Sequence, residues 1–278
     1  MTERISQFTH AGFTFDVIDS GPLDGTPVVL LHGFPQRATS WAQVAEQLHA
    51  EGFRTYALDQ RGYSPGARPR SRFAYRITGL VSDVKALIDQ IGRPVHLVGH
   101  DWGSAVAWAV AGNHPDDVLS LTAVSVAHPG AFMKSMLSSS QILKSYYMLL
   151  FQLPFLPERI LSRPGGFGEK MLRASGMDRT MIETFRSEIV ADGALRGGLG
   201  YYRSLFLGAN QVGRRVSVPT TYVWSDGDTA LVRRGADLNP QFVTGPYELE
   251  VIHGATHWLP DQNADQLAAS IVKRVRSV

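Results

Sequence analysis

The segment from Val98 to Ser104 constrains the fold of this chain more than any other. It reads Val-Gly-His-Asp-Trp-Gly-Ser, and it follows an apolar run at 95–98 and overlaps the start of a helical pattern at 102–112. An apolar strand, a turn flanked by glycines and a helix form the pattern of a nucleophile elbow, which lifts one side chain into a cleft. Here that side chain is Asp101. A carboxylate where serine is usual indicates attack on saturated carbon rather than on an ester or amide.

Short apolar runs alternate with longer helical patterns along most of the chain. Such alternation is typical of a mostly parallel sheet with helices packed on both faces, so the predicted fold class is α/β. We expect strands at residues 13–18, 28–31, 55–58, 95–98, 121–126, 220–224 and 248–252. We expect helices at residues 41–50, 77–91, 102–112 and 264–275.

This alternation stops between residues 129 and 215, where no clear strand occurs. The segment instead holds Met-, Tyr- and Leu-rich helical patterns that are broken by prolines and glycines. A helical block inserted between strands of one sheet predicts a lid over the carboxyl edge of the sheet, where open α/β sheets bind ligands. We therefore predict a core domain at 1–128 and 216–278, with a helical lid domain at 129–215.

The composition excludes several classes of function. Hydrophobic residues make up 44% of the 278 residues, the formal net charge is +2, and the positive residues are scattered. Nucleic acid is therefore not an expected partner, since it requires a concentrated basic face. No apolar run approaches the length of a membrane-spanning helix, so no membrane partner is expected either. The first residues do not resemble a signal peptide, which makes the cytoplasm the expected location.

Three reactive side chains follow one another in an informative order. After the elbow at Asp101, residues 222–228 form an apolar run that ends in a turn with two acids, Asp226 and Asp228. His257 then follows the last predicted strand. Nucleophile, acid and histidine in this chain order form the triad that accompanies an elbow of this kind.

Two backbone N–H groups are placed to stabilise an oxyanion. The segment His32-Gly33-Phe34-Pro35 ends an apolar run with a tight turn, which can direct the Phe34 N–H into the cleft. The Trp102 N–H follows the elbow aspartate and starts a helix. Together Phe34 and Trp102 would form an oxyanion hole without any side chain.

At these segments the chain resembles the α/β-hydrolase superfamily over nearly its whole length, and within it the soluble epoxide hydrolases. Residues 32–35 fit the His-Gly-x-Pro motif of that family, and residues 99–103 fit its aspartate elbow. In the predicted lid, residues 147–152 and 202–203 are similar to the segments that bear the two epoxide-polarising tyrosines of the family.

The resemblance assigns roles to two tyrosines and to one of the two acids. It implies that Tyr147 and Tyr202 are the acids that polarise the epoxide. Each lies in a Tyr-Tyr pair, so Tyr146 and Tyr201 are the alternatives.

The spacing of the family also decides between the two acids of the turn. It places the triad acid four residues after the strand-ending Trp224 and three before an aliphatic residue, here Leu231. This selects Asp228 and leaves Asp226 as a turn residue that caps its own backbone.

The function that the resemblance implies is hydrolysis of an epoxide, through an Asp101 ester that a water activated by His257 then cleaves. This makes the chain a hydrolase of ether bonds, acting on a small apolar epoxide and water, with no cofactor and no metal expected. Two alternatives stay open: a haloalkane or haloacid dehalogenase of the same fold, and a ligand-binding protein of low turnover. A homodimer is also left open.

Overall fold

A twisted sheet of eight strands forms the centre of the molecule. The computed structural model describes residues 3–205, 207 and 214–278. The strands are β1 (Gln7–His10), β2 (Phe13–Ser20), β3 (Thr26–Leu31), β4 (Phe53–Leu58), β5 (Val95–His100), β6 (Val118–Val124), β7 (Thr220–Ser225) and β8 (Tyr247–Ile252). Their order across the sheet is β1-β2-β4-β3-β5-β6-β7-β8. Pairs β1–β2 and β2–β4 are antiparallel, and all other pairs are parallel.

Helices cover both faces of the sheet. The core helices are α1 (Ala42–Ala50), α2 (Ile77–Ile91), α3 (Trp102–Asn113), α11 (Arg233–Leu238), α12 (Leu259–Gln262) and α13 (Ala264–Val275). Between β6 and β7 lie α4 (Pro129–Ser138), α5 (Gln141–Lys144), α6 (Tyr146–Leu150), α7 (Leu156–Ser162), α8 (Phe167–Ala174), α9 (Arg179–Thr184) and α10 (Leu195–Ser204). A π-helix, Phe185–Ala191, joins α9 to the segment before α10.

Strand β3 shows why the sheet is buried on both sides. Consecutive side chains of a strand point to opposite faces. Val28 and Leu30 belong to the cluster that includes the apolar faces of α1 and α13. Val29 and Leu31 belong to the other cluster, which includes α2 and α3. A continuous apolar run is therefore what a central parallel strand requires.

The structure confirms the predicted fold class. Helices α2 and α13 have the predicted bounds, and α3 is one residue longer than predicted. Strand β6 ends at Val124 rather than at residue 126, because Ser125 leaves the strand with a φ of 66°. Strand β1 was not predicted, since only Phe8 of its four residues is buried and no alternation is visible in so short a run.

The inserted segment consists of helices joined by turns and bends in the part that the structure describes. From Pro129 to Leu205 it contains no strand. Residues 206 and 208–213 of the predicted lid lie outside the described residues, so the division into core and lid domains stays a prediction. Within the described residues, no helix combines the length and apolar character needed to cross a bilayer.

Candidate active site

Asp101 occupies the sharp turn between β5 and α3. Its backbone has a φ of 51°, a conformation that a residue with a side chain adopts at a cost and that is typical of functional sites. The flanking glycines allow this turn: a methyl group on Gly99 would lie 2.2 Å from the carbonyl oxygen of Gly103. A methyl group on Gly103 would lie 2.1 Å from the carbonyl oxygen of Leu31. The segment therefore has the geometry of the predicted elbow.

The turn after β3 packs directly against the aspartate. A methyl group on Gly33 would lie 2.4 Å from the Cβ atom of Asp101, so only glycine fits there. The Phe34 N–H donates to Oδ1 of Asp101 over 2.9 Å. Trp102 is the first residue of α3, and the N–H of a first helical residue has no acceptor within its helix. Of the two predicted oxyanion donors, the Phe34 N–H thus contacts the carboxylate, and the Trp102 N–H directly follows Asp101 in the chain.

His257 lies between two carboxylates in the loop that follows β8. Its Nδ1 atom is 2.7 Å from Oδ2 of Asp228, and its Nε2 atom is 3.6 Å from Oδ2 of Asp101. The other oxygen of Asp228 accepts from the backbone N–H groups of Ala230 and Leu231, at 2.7 and 3.0 Å. The structure thus brings Asp101, His257 and Asp228 together in one connected array.

Asp226 lies outside this array, in the turn after β7. Its carboxylate accepts from the Gly254 N–H over 2.6 Å and is 2.7 Å from Nδ1 of His253. Asp226 therefore ties the turn after β7 to the loop that bears His257. The prediction of a turn residue that caps its own backbone did not include this additional cross-loop contact, because the contact joins residues far apart in the sequence.

The charges of the triad are strongly coupled. Burial disfavours the charged imidazole, but the carboxylates of Asp228 and Asp101 outweigh burial and raise the pKa of His257 to about 10. Burial also opposes ionisation of Asp101, yet the hydrogen bond to His257 and its charge lower the pKa of Asp101 below its usual value. The resting site therefore holds an imidazolium between two carboxylates.

Two tyrosines of the inserted segment line the same cleft as Asp101. The rings of Tyr147 and Tyr202 both line the cleft above Asp101, with centroids 6.0 Å apart. Burial, together with the charge of Asp101, raises the pKa of Tyr147 and of Tyr202, so both stay protonated phenols at neutral pH. The indole of Trp102 packs edge-on against Tyr202 at 5.1 Å.

The neighbouring tyrosines have other surroundings. The Tyr201 hydroxyl donates to the carbonyl oxygen of Arg61 over 2.8 Å, and Tyr201 does not line the cleft. Tyr146 is 56% exposed and lies at the edge of the cleft. The geometry therefore favours Tyr147 and Tyr202 over Tyr146 and Tyr201 as donors to a bound substrate.

The cleft between the sheet edge and the lid is large and mostly apolar. Its volume is about 440 Å³, which is within the range of ligand-binding pockets. Its wall is built mainly from aromatic and aliphatic side chains, among them Phe132, Met133, Met148, Phe151 and Met171. The described part of the chain contains no group of three or more His, Asp or Glu residues that could hold a metal ion.

Sequence reasoning missed His100, which contacts His257. Its Nε2–H donates to the carbonyl oxygen of His257 over 2.9 Å, and the two rings lie 4.9 Å apart. Burial lowers the pKa of His100 to about 4, so this side chain is neutral. Its place directly before the elbow aspartate was the signal that could have revealed it.

The order of the strands in the sheet, the elbow and the chain order of Asp101, Asp228 and His257 together define the α/β-hydrolase class. A family model of the alpha/beta hydrolase fold matches residues 26–264. Epoxide hydrolase 3 of Xenopus tropicalis is 34% identical over 92% of this chain and 73% of its own length. Epoxide hydrolase 4 of Homo sapiens is 29% identical over 92% of this chain and 74% of its own length. An epoxide hydrolase structure from Vigna radiata superposes with a TM-score of 0.83 at 24% identity, covering 98% of this chain and 97% of the other. The chain belongs to the epoxide hydrolase family of α/β hydrolases.

Proposed function

We propose that this protein hydrolyses epoxides to vicinal diols through an ester on Asp101. The observation that carries the proposal is the pair of protonated phenols, Tyr147 and Tyr202, on the lid side of the cleft opposite the carboxylate. An epoxide oxygen becomes an alkoxide when the ring opens, and an alkoxide needs a donor that supplies a proton as charge develops. The relatives from Xenopus tropicalis and Homo sapiens are named epoxide hydrolases, which supports the same reaction.

In the first step the Asp101 carboxylate attacks a ring carbon of the epoxide. Its Oδ1 atom is held by the Phe34 N–H, which leaves Oδ2 as the attacking oxygen. The new bond joins Oδ2 to carbon, the carbon–oxygen bond of the ring breaks, and the released oxygen takes a proton from Tyr147 or Tyr202. The phenol is then reprotonated from water. The product of this step is a hydroxyalkyl ester of Asp101.

In the second step a water molecule hydrolyses this ester. Ester formation has removed the charge of Asp101, so His257 releases its proton to solvent and becomes neutral. The neutral imidazole takes a proton from water, and the hydroxide adds to the carbonyl carbon of Asp101. Negative charge then develops on Oδ1, where the N–H groups of Phe34 and Trp102 stabilise it. The bond between this carbon and Oδ2 breaks, the departing alkoxide takes the proton from His257, and a diol leaves. The carboxylic acid left at Asp101 gives its proton to His257, which restores the resting carboxylate and imidazolium. Asp228 fixes the tautomer of His257 throughout.

Removal of a halide is the enzymatic alternative, since it uses the same aspartate and histidine. It requires N–H donors for the departing halide, and Trp102 could supply one of them. The Phe34 side chain has no donor, and the sequence from 129 to 215 contains no tryptophan. The cleft contains two phenols, and its set of N–H donors for a halide is incomplete. An epoxide is therefore favoured over a haloalkane as the substrate.

The test is a panel of styrene-type epoxides, aliphatic epoxides and haloalkanes incubated with the purified protein. Diol release should be measured by chromatography and halide release by ion electrode in the same reactions. We expect diols from epoxides and little halide. Halide release without diol formation would overturn the proposal. Tight binding of these compounds without turnover of any would instead support a ligand-binding protein.

We further propose the cytoplasm as the location of the protein. A homodimer stays an open prediction, which light scattering of the purified protein would test.

A further inference from the structure

The inserted segment exposes a concentration of large apolar side chains. Among the described residues, ten of the fifteen large hydrophobic side chains that are exposed lie between positions 133 and 167. Soluble monomers rarely expose extended apolar surface, and such a surface usually marks a site of interaction with a protein or a membrane. The apolar patch consists of Met133, Leu137, Ile142, Leu143, Tyr146, Leu149, Leu153, Phe155, Leu156 and Phe167.

The first part of the apolar patch lies on three helices that pack in sequence, α4 against α5 and α5 against α6. Met133 and Leu137 are about one helical turn apart on α4, so they lie on the same side of that helix. Tyr146 and Leu149 have the same relationship on α6. Met133 and Tyr146 also line the active-site cleft. The apolar patch therefore reaches the edge of the cleft.

The chain between α6 and α7 exposes apolar residues at a conformational cost. Residues 153–156 read Leu-Pro-Phe-Leu, and all four are exposed. Phe155 is 71% exposed and has a φ of 63°, which is rare for a bulky side chain. A residue in such a conformation persists where the surrounding structure imposes it, and residues of this kind cluster at functional sites. An apolar partner that covers the Phe155 ring would offset part of this cost.

The exposed charges of the same segment are all positive. Between residues 129 and 177, the charged side chains that are exposed are Lys134, Arg159, Arg163, Lys170 and Arg173. The first acid of this range, Glu158, is partly buried and pairs with Arg203. The second acid, Glu169, is buried and pairs with Arg173 and Arg186. The apolar patch is therefore accompanied by exposed cations and by no exposed carboxylate.

We propose that the apolar patch docks the protein on the surface of a bilayer that contains anionic lipids. The apolar side chains enter the boundary between headgroups and acyl chains, and the exposed cations contact lipid phosphates. Because Met133 and Tyr146 also line the cleft, docking places the edge of the cleft against the bilayer. A protein that lies on one leaflet needs no spanning helix. The expectation of no membrane partner rested on the length of apolar runs, which concerns spanning helices only.

A second copy of this chain fits the apolar patch less well than an anionic bilayer does. In a two-fold dimer the same surface of each copy faces the other. Such an interface would bring the exposed cations of the two copies together without any exposed carboxylate of this segment between them. Like charges across an interface oppose association, whereas anionic headgroups attract every one of these cations.

Co-sedimentation with lipid vesicles tests this docking. The two probes are vesicles of phosphatidylcholine alone and vesicles of equal parts phosphatidylcholine and phosphatidylglycerol. We expect wild-type protein to bind the mixed vesicles at least roughly ten-fold more tightly than the neutral ones, and less tightly as the salt concentration rises. Arg159→Gln combined with Arg163→Gln should weaken binding to the mixed vesicles roughly ten-fold. No binding to the mixed vesicles, or equal binding to both kinds, would overturn the proposal.

A pair of double variants tests the apolar contribution. Leu137→Ser combined with Phe155→Ser removes two exposed side chains of the apolar patch and should weaken vesicle binding by roughly ten-fold or more. Leu119→Ser combined with Phe73→Ser is the matched control, because these side chains are exposed but lie outside the patch. None of the four residues lines the cleft. Thermal unfolding establishes that each variant is folded, and equal losses of binding in the two double variants would contradict the assignment of the patch.

The sequence contains no cysteine, so a single introduced thiol can be labelled at a chosen position. Phe155→Cys labelled with a nitrobenzoxadiazole fluorophore should become brighter when mixed vesicles are added, and labelled Leu119→Cys should not. Brightening of the label at position 155 with protein concentration alone, without any response to vesicles, would show that a second copy covers the patch and would overturn the proposal. None of these measurements requires an epoxide to be opened, so their outcome is independent of the reaction proposed at Asp101.

Discussion

The two oxygens of Asp101 are not equivalent, because His257 faces only one of them. The Nε2 atom of His257 lies 3.6 Å from Oδ2 of Asp101, whereas Oδ1 is held by the Phe34 N–H at 2.9 Å. Attack through Oδ2 leaves Oδ1 as the ester carbonyl oxygen, already next to an oxyanion donor. The hydrogen bond from Phe34 to Oδ1 in the resting site therefore leaves Oδ2 available for the first step and holds Oδ1 beside a donor for the second.

The first prediction concerns the covalent intermediate. In His257→Gln the aspartate can still attack, but no base remains to activate water. Hydrolysis of the ester should slow by roughly 10²-fold to 10⁴-fold, the usual contribution of a general base. Intact-mass spectrometry should show a protein heavier by one substrate molecule, and peptide mapping should locate the addition on Asp101. The double variant with Asp101→Asn should give no adduct, so an adduct on any other residue would contradict the mechanism.

The second prediction concerns the charge of His257. Its pKa is about 10 in the resting site because the carboxylates of Asp228 and Asp101 outweigh burial. Ester formation removes the charge of Asp101, so the pKa of His257 must fall, which yields the neutral base that the second step needs. Asp101→Asn imitates this loss of charge, and ¹⁵N NMR titration of the imidazole should give a lower pKa than in wild-type protein. An unchanged or higher pKa would contradict the coupling.

The same raised pKa has a consequence for stability. The folded-state pKa of His257 lies above the unfolded value of 6.5, so its charge stabilises the fold fully below about pH 6.5. This contribution is lost as the pH rises through about 10. Urea unfolding should therefore show a smaller loss of stability between these pH values in Asp101→Asn than in wild-type protein.

The segments that the sequence predicted best are those in which local pattern and tertiary packing agree. Helix α2 could be predicted to the residue because its buried positions recur with helical spacing and Gly92 ends it in the left-handed region. The elbow could be predicted because neighbouring backbone lies so close to positions 99 and 103 that only glycine fits at each of them.

What the sequence could not predict depends on contacts between distant segments. The bond from His100 to the carbonyl of His257 joins residues 157 positions apart. The contact of Asp226 with Gly254 spans 28 positions, and no local pattern encodes it.

The third prediction concerns the lid tyrosines. Tyr147→Phe and Tyr202→Phe should each slow epoxide opening by roughly 10-fold to 100-fold, since one phenol remains to support the oxygen. Single-turnover kinetics in the His257→Gln background isolates this step. Tyr201→Phe is the matched control, because its hydroxyl bonds to the Arg61 carbonyl instead. It should cost about 1 kcal/mol of folding stability and leave opening near the wild-type rate. Slow opening in Tyr201→Phe alone would transfer the role to Tyr201.

The fourth prediction separates the two acids that follow β7. In Asp228→Asn the carbonyl oxygen of the new side chain should face the N–H groups of Ala230 and Leu231, which now bond to Oδ1 of Asp228. The amide NH₂ then faces Nδ1 of His257 and forces the tautomer with hydrogen on Nε2. That tautomer cannot take a proton from water, so kcat should fall by about 10⁴-fold.

Asp226→Asn is the control for this change, because Asp226 lies on the exposed side of the same turn. Its amide oxygen can still accept from the Gly254 N–H, so only the contact with His253 is altered. We expect a stability change within about 1 kcal/mol and a kcat close to that of wild-type protein. Both variants should still form the Asp101 ester, and only Asp228→Asn should accumulate it. Equal losses of kcat in the two variants would contradict the assignment of Asp228 as the triad acid.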